Sequence, residues 1–166
     1  MTTEPLLIRQ ATIQDADAIL QMADRAVADN AACAFRGDSP ETRRRRLLAF
    51  LEHPAARGYL AVATDQPVGM IGALQYADPI TEQAVVVVLV LWIAPAARAG
   101  WVGVKLVHAI EAWGASCGGA RVQIPSWTER SDAFYEQLGY EPRERVWEKP
   151  STRGREEDDA GSIQVA

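Results

Sequence analysis

The sequence predicts an α/β domain in three layers, α-β-α, around a mixed and mostly antiparallel central sheet. Two observations carry this. Apolar residues recur at a helical period in some stretches and alternate at a period of two in others. The run from Ala84 to Ile93 is apolar on both of its alternating faces, as expected for a strand covered on both sides. With 166 residues and 18.1 kDa the chain fits one domain. Residues 1–149 are expected to form it, and 150–166 an acidic polar tail.

The elements follow in order. Leu6 to Arg9 is a short extended segment, and Thr12-Ile13-Gln14-Asp15 reads as a capping box, the Thr12 hydroxyl accepting the amide of Asp15. Ile19, Leu20, Ala23, Ala26 and Val27 then recur at helical spacing. Gly37-Asp38-Ser39-Pro40 starts a second helix capped by Ser39, with Leu47, Leu48 and Leu51 as its apolar face and His53-Pro54 as its end. Residues 58–64, 68–77 and 82–93 read as three strands, broken at Asp65-Gln66-Pro67 and at Asp78-Pro79-Ile80-Thr81, and such short connections favour antiparallel hairpins.

In the third of these strands Val85, Val87, Leu89, Leu91 and Ile93 should share one face, and Val86, Val88, Val90 and Trp92 the other. A helix bearing Leu106, Val107, Ile110, Trp113 and Cys117 comes next. A strand at Arg121–Pro125, a helix from Glu129 to Leu138 and a strand at Arg143–Trp147 complete the domain. The tail holds the run Glu156-Glu157-Asp158-Asp159 and too few apolar residues to offset the entropy of ordering it.

Composition excludes several classes. A net charge of −5 and a pI near 5.1 speak against a nucleic-acid binder, which needs a positive field. The longest apolar run, Ala84 to Ala94, is far shorter than the roughly 20 residues of a membrane helix, and Met1-Thr2-Thr3-Glu4-Pro5 lacks the order of a signal peptide, so a cytoplasmic protein with no membrane partner is expected. Cys33 and Cys117 are far apart and only His53 and His108 are present, so no metal site is expected. The run Arg43-Arg44-Arg45-Arg46 cannot form one stripe on a helix and reads as solvated surface.

Chemistry concentrates where the apolar strand runs into Pro95-Ala96-Ala97-Arg98-Ala99-Gly100-Trp101-Val102-Gly103-Val104. A strand, a glycine-containing turn and a helix start leave unpaired amides at the positive end of the helix dipole, which suits an anion. Arg98 would add a charged donor fork. On spacing alone an ordinary turn with a surface arginine explains the segment as well.

Three pieces together resemble the GNAT (GCN5-related N-acetyltransferase) family over roughly residues 6–148. Arg98-Ala99-Gly100-Trp101-Val102-Gly103 resembles its acetyl-CoA signature, Arg/Gln-x-x-Gly-x-Gly/Ala. Leu7 to Ala16 resembles its first strand and helix, and Phe134-Tyr135-Glu136-Gln137-Leu138-Gly139-Tyr140 its Tyr-x-x-x-Gly-Phe/Tyr segment. The resemblance implies the acyl-CoA N-acyltransferase fold and transfer of an acetyl group from acetyl-CoA to a primary amine of a small molecule or protein. It implies that the amides of Arg98, Ala99, Gly100, Trp101, Val102, Gly103 and Val104 hold the pyrophosphate, and that the edge of Leu91, Trp92 and Ile93 pairs with the pantetheine arm. A backbone amide on that edge would polarise the thioester carbonyl. It also implies Tyr135 as the acid that protonates the departing thiolate. A homodimer is a further expectation.

Departures from the family pattern keep a second reading open. Trp101 stands where the family has glycine, and its indole either occupies the pyrophosphate path, turns outward, or is accommodated by a one-residue shift at Gly100. Thr128 stands where asparagine is common, and the strand Ala84–Ile93 carries no base. Asp78, Glu82 and Asp132 are base candidates by placement alone. The alternative is a non-catalytic binding or assembly module of the same fold with an impaired acetyl-CoA site.

Overall fold

The computed structural model describes residues 6–29, 38–118, 121–126 and 129–143. Five strands form one sheet in the order β1-β2-β3-β4-β5: β1 (Leu7–Gln10), β2 (Ala56–Ala63), β3 (Gln66–Ala77), β4 (Ala84–Ile93) and β5 (Arg121–Gln123). The first four pair antiparallel and β5 joins β4 in parallel, so the sheet is mixed and mostly antiparallel as expected. Among the described residues the α-helices are α1 (Ala16–Asp29), α2 (Pro40–Glu52), α3 (Val102–Ser116) and α4 (Glu129–Gln137). The strand expected at Arg143–Trp147 lies outside the described residues except for Arg143, which is irregular; the tail lies outside them entirely.

Two cores flank the sheet. Ile19, Met22, Ala23 and Ala26 recur along α1 and meet Leu60, Met70 and Trp92 on one face, with Leu47 of α2. On the other face Leu106, Val107, Ile110 and Trp113 of α3 meet Ala61, Ile71, Ala73, Val86 and Val88, and Phe134 of α4 packs against them. Leu60, Leu106, Ile110, Val85 and Val86 are fully buried. Burying such side chains stabilises the fold by about 1.5–3 kcal/mol each.

Local chemistry explains the boundaries. Ser39 caps α2 by accepting the amide of Thr42 at 3.2 Å, and Pro40 occupies the first turn, where no amide partner is required. Ahead of α1 the 3₁₀ turn Ile13–Asp15 carries the expected capping box. The Asp15 carboxylate accepts the Thr12 amide at 2.8 Å and its hydroxyl at 3.0 Å, while the Asp15 amide donates to the Thr12 carbonyl at 3.0 Å. Arg9 grips the same carboxylate with both guanidinium nitrogens, at 2.6 and 2.8 Å.

The β2–β3 connection is tighter than the Asp65-Gln66-Pro67 break suggested. Ala63 pairs with Gln66 across a two-residue turn, Thr64 and Asp65, both at positive φ, the geometry that matches strand twist. Pro67 lies inside β3, next to a register shift, where its missing N–H is tolerated.

The arginine run is not simply solvated surface. Arg43 pairs with Asp24 and Arg44 with Asp17, so α2 is tied to α1 by charge, while Arg46 pairs with Asp38 just ahead of α2. Each such exposed pair contributes little, about 0–1 kcal/mol.

A bulge in β4 corrects the expected faces. Gly72 pairs with Val90 but Ala73 pairs with Val88, leaving Leu89 as an extra residue. The alternation therefore changes phase. Val86 and Val88 face the α3 side together with Leu91 and Ile93, while Val90 and Trp92 face the α1 side. Leu89 itself is 51% exposed.

Candidate functional site

The bulge sits where β4 and β5 separate. Their parallel pairing covers only Val85–Val87 against Arg121–Gln123. From Val88 onward β4 keeps its β3 partner and has none on the other side among the described residues. Pro125 has no N–H for a further rung. The gap is lined by Val88, Leu89, Val90 and Leu91 from β4, Ile124 and Pro125 beyond β5, and Tyr135 from α4.

The placement of Tyr135 follows from how α4 ends. Gly139 adopts a φ of +85°, its amide donates to the Glu136 carbonyl at 3.0 Å, and the Tyr140 amide reaches back to the Tyr135 carbonyl at 3.0 Å. These paired bonds around a left-handed glycine satisfy the last carbonyls of a helix. The accompanying side-chain contact is also present, with the Tyr135 and Tyr140 rings 6.1 Å apart. Tyr140 in turn donates its hydroxyl to Glu111 of α3 at 2.8 Å. The Tyr-x-x-x-Gly-Tyr spacing thus anchors Tyr135 from below. Phe134 packs beside it at 5.4 Å between ring centres.

Burial pushes the Tyr135 phenol up to about 12, and the nearby Asp132 charge adds to the effect. The phenol therefore keeps its proton at neutral pH, as an acid must. Burial and the Glu111 carboxylate likewise raise Tyr140.

At the end of β4 the chain makes the 3₁₀ turn Pro95–Ala97 and enters α3. Among the described residues no side chain caps α3. Lys105 is the first amide to find a helical acceptor, the Trp101 carbonyl at 2.9 Å, so the amides of Trp101, Val102, Gly103 and Val104 stand open among the described residues. Trp101 turns outward and is 73% exposed. Ala99 and Gly100 are exposed as well. The open amides and the unpaired border of β4 fit a ligand with a diphosphate and an extended amide-bearing arm.

Other candidates take different positions. Gly103 faces inward: a Cβ there would lie 2.9 Å from Ile93 Cδ1 and 3.1 Å from Phe134 Cζ, so its bareness serves close helix–strand packing. Leu91 lines the gap, whereas the Trp92 side chain is buried on the opposite face. Arg98 bends back. Its Nε donates to the Ile93 carbonyl at 2.9 Å, and its Nη2 donates to Asp29 at 2.5 Å. Asp29 also accepts the Trp92 indole N–H at 3.0 Å. Thr128 lies outside the described residues, as does the loop 30–37.

Among the base candidates, Asp78 is engaged in its own turn. It accepts the amides of Ile80 and Thr81 at 2.9 Å each and pairs with Arg121 at 2.8 Å, and these contacts lower its pKa. Glu82 is exposed at positive φ, and Asp132 is exposed on α4. Sequence inspection missed Asp29, which no motif marks, and the lining role of Val88–Val90, which follows only from the bulge.

Comparison with known proteins decides the family, since the model of the acetyltransferase (GNAT) family matches residues 25–140. The chain belongs to the acetyltransferase (GNAT) family. Membership makes acetyl-CoA the cosubstrate and acetyl transfer the chemistry. Comparison with curated proteins finds no match. Among solved structures, the aminoglycoside N-acetyltransferase AAC(6')-Iy in complex with CoA superposes with a TM-score of 0.76 at 18% identity, over 90% of this chain and 96% of that one. An aminoglycoside acetyltransferase from an uncultured soil metagenomic sample, in complex with sisomicin, gives 0.72 at 15% identity, over 89% and 95%. A ribosomal-protein-alanine N-acetyltransferase from Brucella melitensis biovar Abortus 2308 gives 0.70 at 13%, over 89% and 99%. At these identities the likeness is one of fold. Among the described residues no helix is long and apolar enough to cross a membrane.

Proposed function

We propose that this acetyltransferase moves the acetyl group of acetyl-CoA to a primary amine of a small molecule, with Tyr135 as the general acid. The amine nitrogen attacks the thioester carbonyl, the C–S bond breaks, and the sulfur takes the Tyr135 proton. The observation that carries this reading is Tyr135 itself. It is anchored by the Gly139 turn, holds its proton tightly, and lines the gap beside the unpaired border of β4.

The remaining roles fit the same scheme. The open amides of residues 101–104 suit the diphosphate. The border Leu91–Ile93 suits the pantetheine arm, and an amide there would polarise the carbonyl as negative charge grows on its oxygen. The described lining of the gap has no carboxylate or histidine, and in this scheme the attacking amine gives its proton to water. A small-molecule acceptor is favoured by the two aminoglycoside-modifying neighbours. The outward indole of Trp101 weighs against one of the grounds for the non-catalytic module, an obstructed phosphate path.

Titration calorimetry with acetyl-CoA, followed by mass spectrometry of a panel of small amines and amine-bearing peptides, tests the reading. Expected are micromolar to millimolar affinity, about the usual range of KM, and acetylated small amines. Absence of heat at millimolar acetyl-CoA refutes the enzyme. Transfer confined to peptides refutes the choice of acceptor.

A further inference from the structure

Asp29 is the last residue of α1, far in sequence from the turn that precedes α3, yet its carboxylate joins three elements. Oδ2 accepts the Trp92 indole N–H of β4 at 3.0 Å and the Arg98 Nη2 at 2.5 Å. Arg98 closes the arrangement by donating its Nε to the carbonyl of Ile93 at 2.9 Å. Its own amide caps the 3₁₀ turn on the Pro95 carbonyl at 3.3 Å. Trp92 is fixed in the core at 7% exposure, so the carboxylate is referenced to a rigid wall. The tie thus braces the path from the end of β4 to Trp101, where the open amides begin.

We propose that Asp29 is a positioning residue for the cosubstrate: through Arg98 it braces the turn whose amides receive the diphosphate, so that Arg98 acts as a strut and not as a phosphate ligand. This rests on the acetyl-CoA reading of the open amides. Two physical points favour the strut. The guanidinium charge is already neutralised by Asp29, leaving the amide dipoles as the attraction for the anion. The Nε bond to Ile93 also holds the base of the side chain against the backbone it would need to leave.

The opposite arrangement, in which Asp29 merely sequesters an arginine that later swings onto the phosphates, predicts the opposite sign. Freeing Arg98 would then tighten binding. Calorimetric titration of CoA into wild type, Asp29→Asn, Arg98→Met and the double variant separates the two, with thermal melting alongside. The asparagine keeps an acceptor for Trp92 and removes the ion pair.

The strut predicts that Asp29→Asn weakens CoA about fivefold, that Arg98→Met does much the same, and that the double variant adds little, as expected of residues acting as one unit. It further predicts a rise in the KM for acetyl-CoA with a smaller change in kcat. Tighter binding by Asp29→Asn, additive losses in the double variant, or unchanged affinity with only a lowered melting temperature each overturn it. Wild-type protein that binds no CoA overturns the function reading and this inference together. Wild-type binding with unaffected variants overturns this inference alone.

Discussion

Gly103 invites substitution because its pattern position and its packing suggest different penalties. If its bareness only admits phosphate, Gly103→Ala should leave stability alone or raise it by the helix preference of alanine, about 0.5–1 kcal/mol. The structure points elsewhere. The added carbon would meet Ile93 Cδ1 at 2.9 Å and Phe134 Cζ at 3.1 Å. The isoleucine methyl is the free end of a flexible chain and can turn away. The Phe134 ring is packed against the α3 core and Tyr135, so α4 must yield. Overpacking of this kind costs about 1–3 kcal/mol. After the helix gain the net loss is about 1 kcal/mol, a fall in Tm of about 2–4 °C for a chain of this size. Gly100→Ala is the control. Its Cβ would find only the Ala97 carbonyl, at 3.7 Å. There Tm should hold or rise, by about 0.4–1 kcal/mol of stability. Calorimetric melting of both variants checks the pair. A Tm that rises in Gly103→Ala, or falls further in Gly100→Ala, refutes the packing argument.

Tyr135→Phe should lower kcat about 10²–10⁴-fold with little change in CoA affinity, measured by steady-state kinetics and calorimetry. With Tyr135 pushed up to about 12, the rate should climb with pH as the acceptor ammonium deprotonates and show no fall through pH 9; a descending limb in that range, lost in Tyr135→Phe, would contradict the raised pKa. Asp15, held at about 2 chiefly by the Arg9 hydrogen bonds, is depressed in the folded state. Its stabilisation is therefore complete above the unfolded value of about 3.9 and lost as pH falls through 2, about 1 kcal/mol once the exposure of Arg9 is allowed for. Asp15→Asn should melt lower than wild type at pH 7 and level with it near pH 1.5. Trp101→Gly should leave CoA affinity unchanged or weaker, because the indole faces solvent; a tenfold gain by calorimetry would show that the ring obstructs the phosphates.

Periodicity revealed the helices, the strands and the antiparallel hairpins, and residue chemistry the cap of α2, because each depends on near neighbours in the chain. Ser39 and Pro40 act within one turn and were readable in advance; the Tyr135–Gly139–Tyr140 spacing was visible as a family resemblance, and its role in ending α4 came only with the structure. The faces of β4 were not readable. A bulge depends on the partner strand, and nothing in ten apolar residues marks Leu89 as the unpaired one. The orientation of Arg98 was hidden for a similar reason, since its anion partner, Asp29, arrives from another element. Asp29 ends a helix whose pattern says only which side faces the core.

The parting of β4 from β5 has a cost beyond catalysis. A strand border that welcomes an extended arm cannot tell that arm from a stray segment of a neighbouring molecule, because both offer the same main-chain partners. Here the described lining of the gap is apolar apart from the Tyr135 hydroxyl, and its inner end is the last shared rung, at Val87 and Gln123. One gap between two strands would therefore have to admit the arm and refuse the segment.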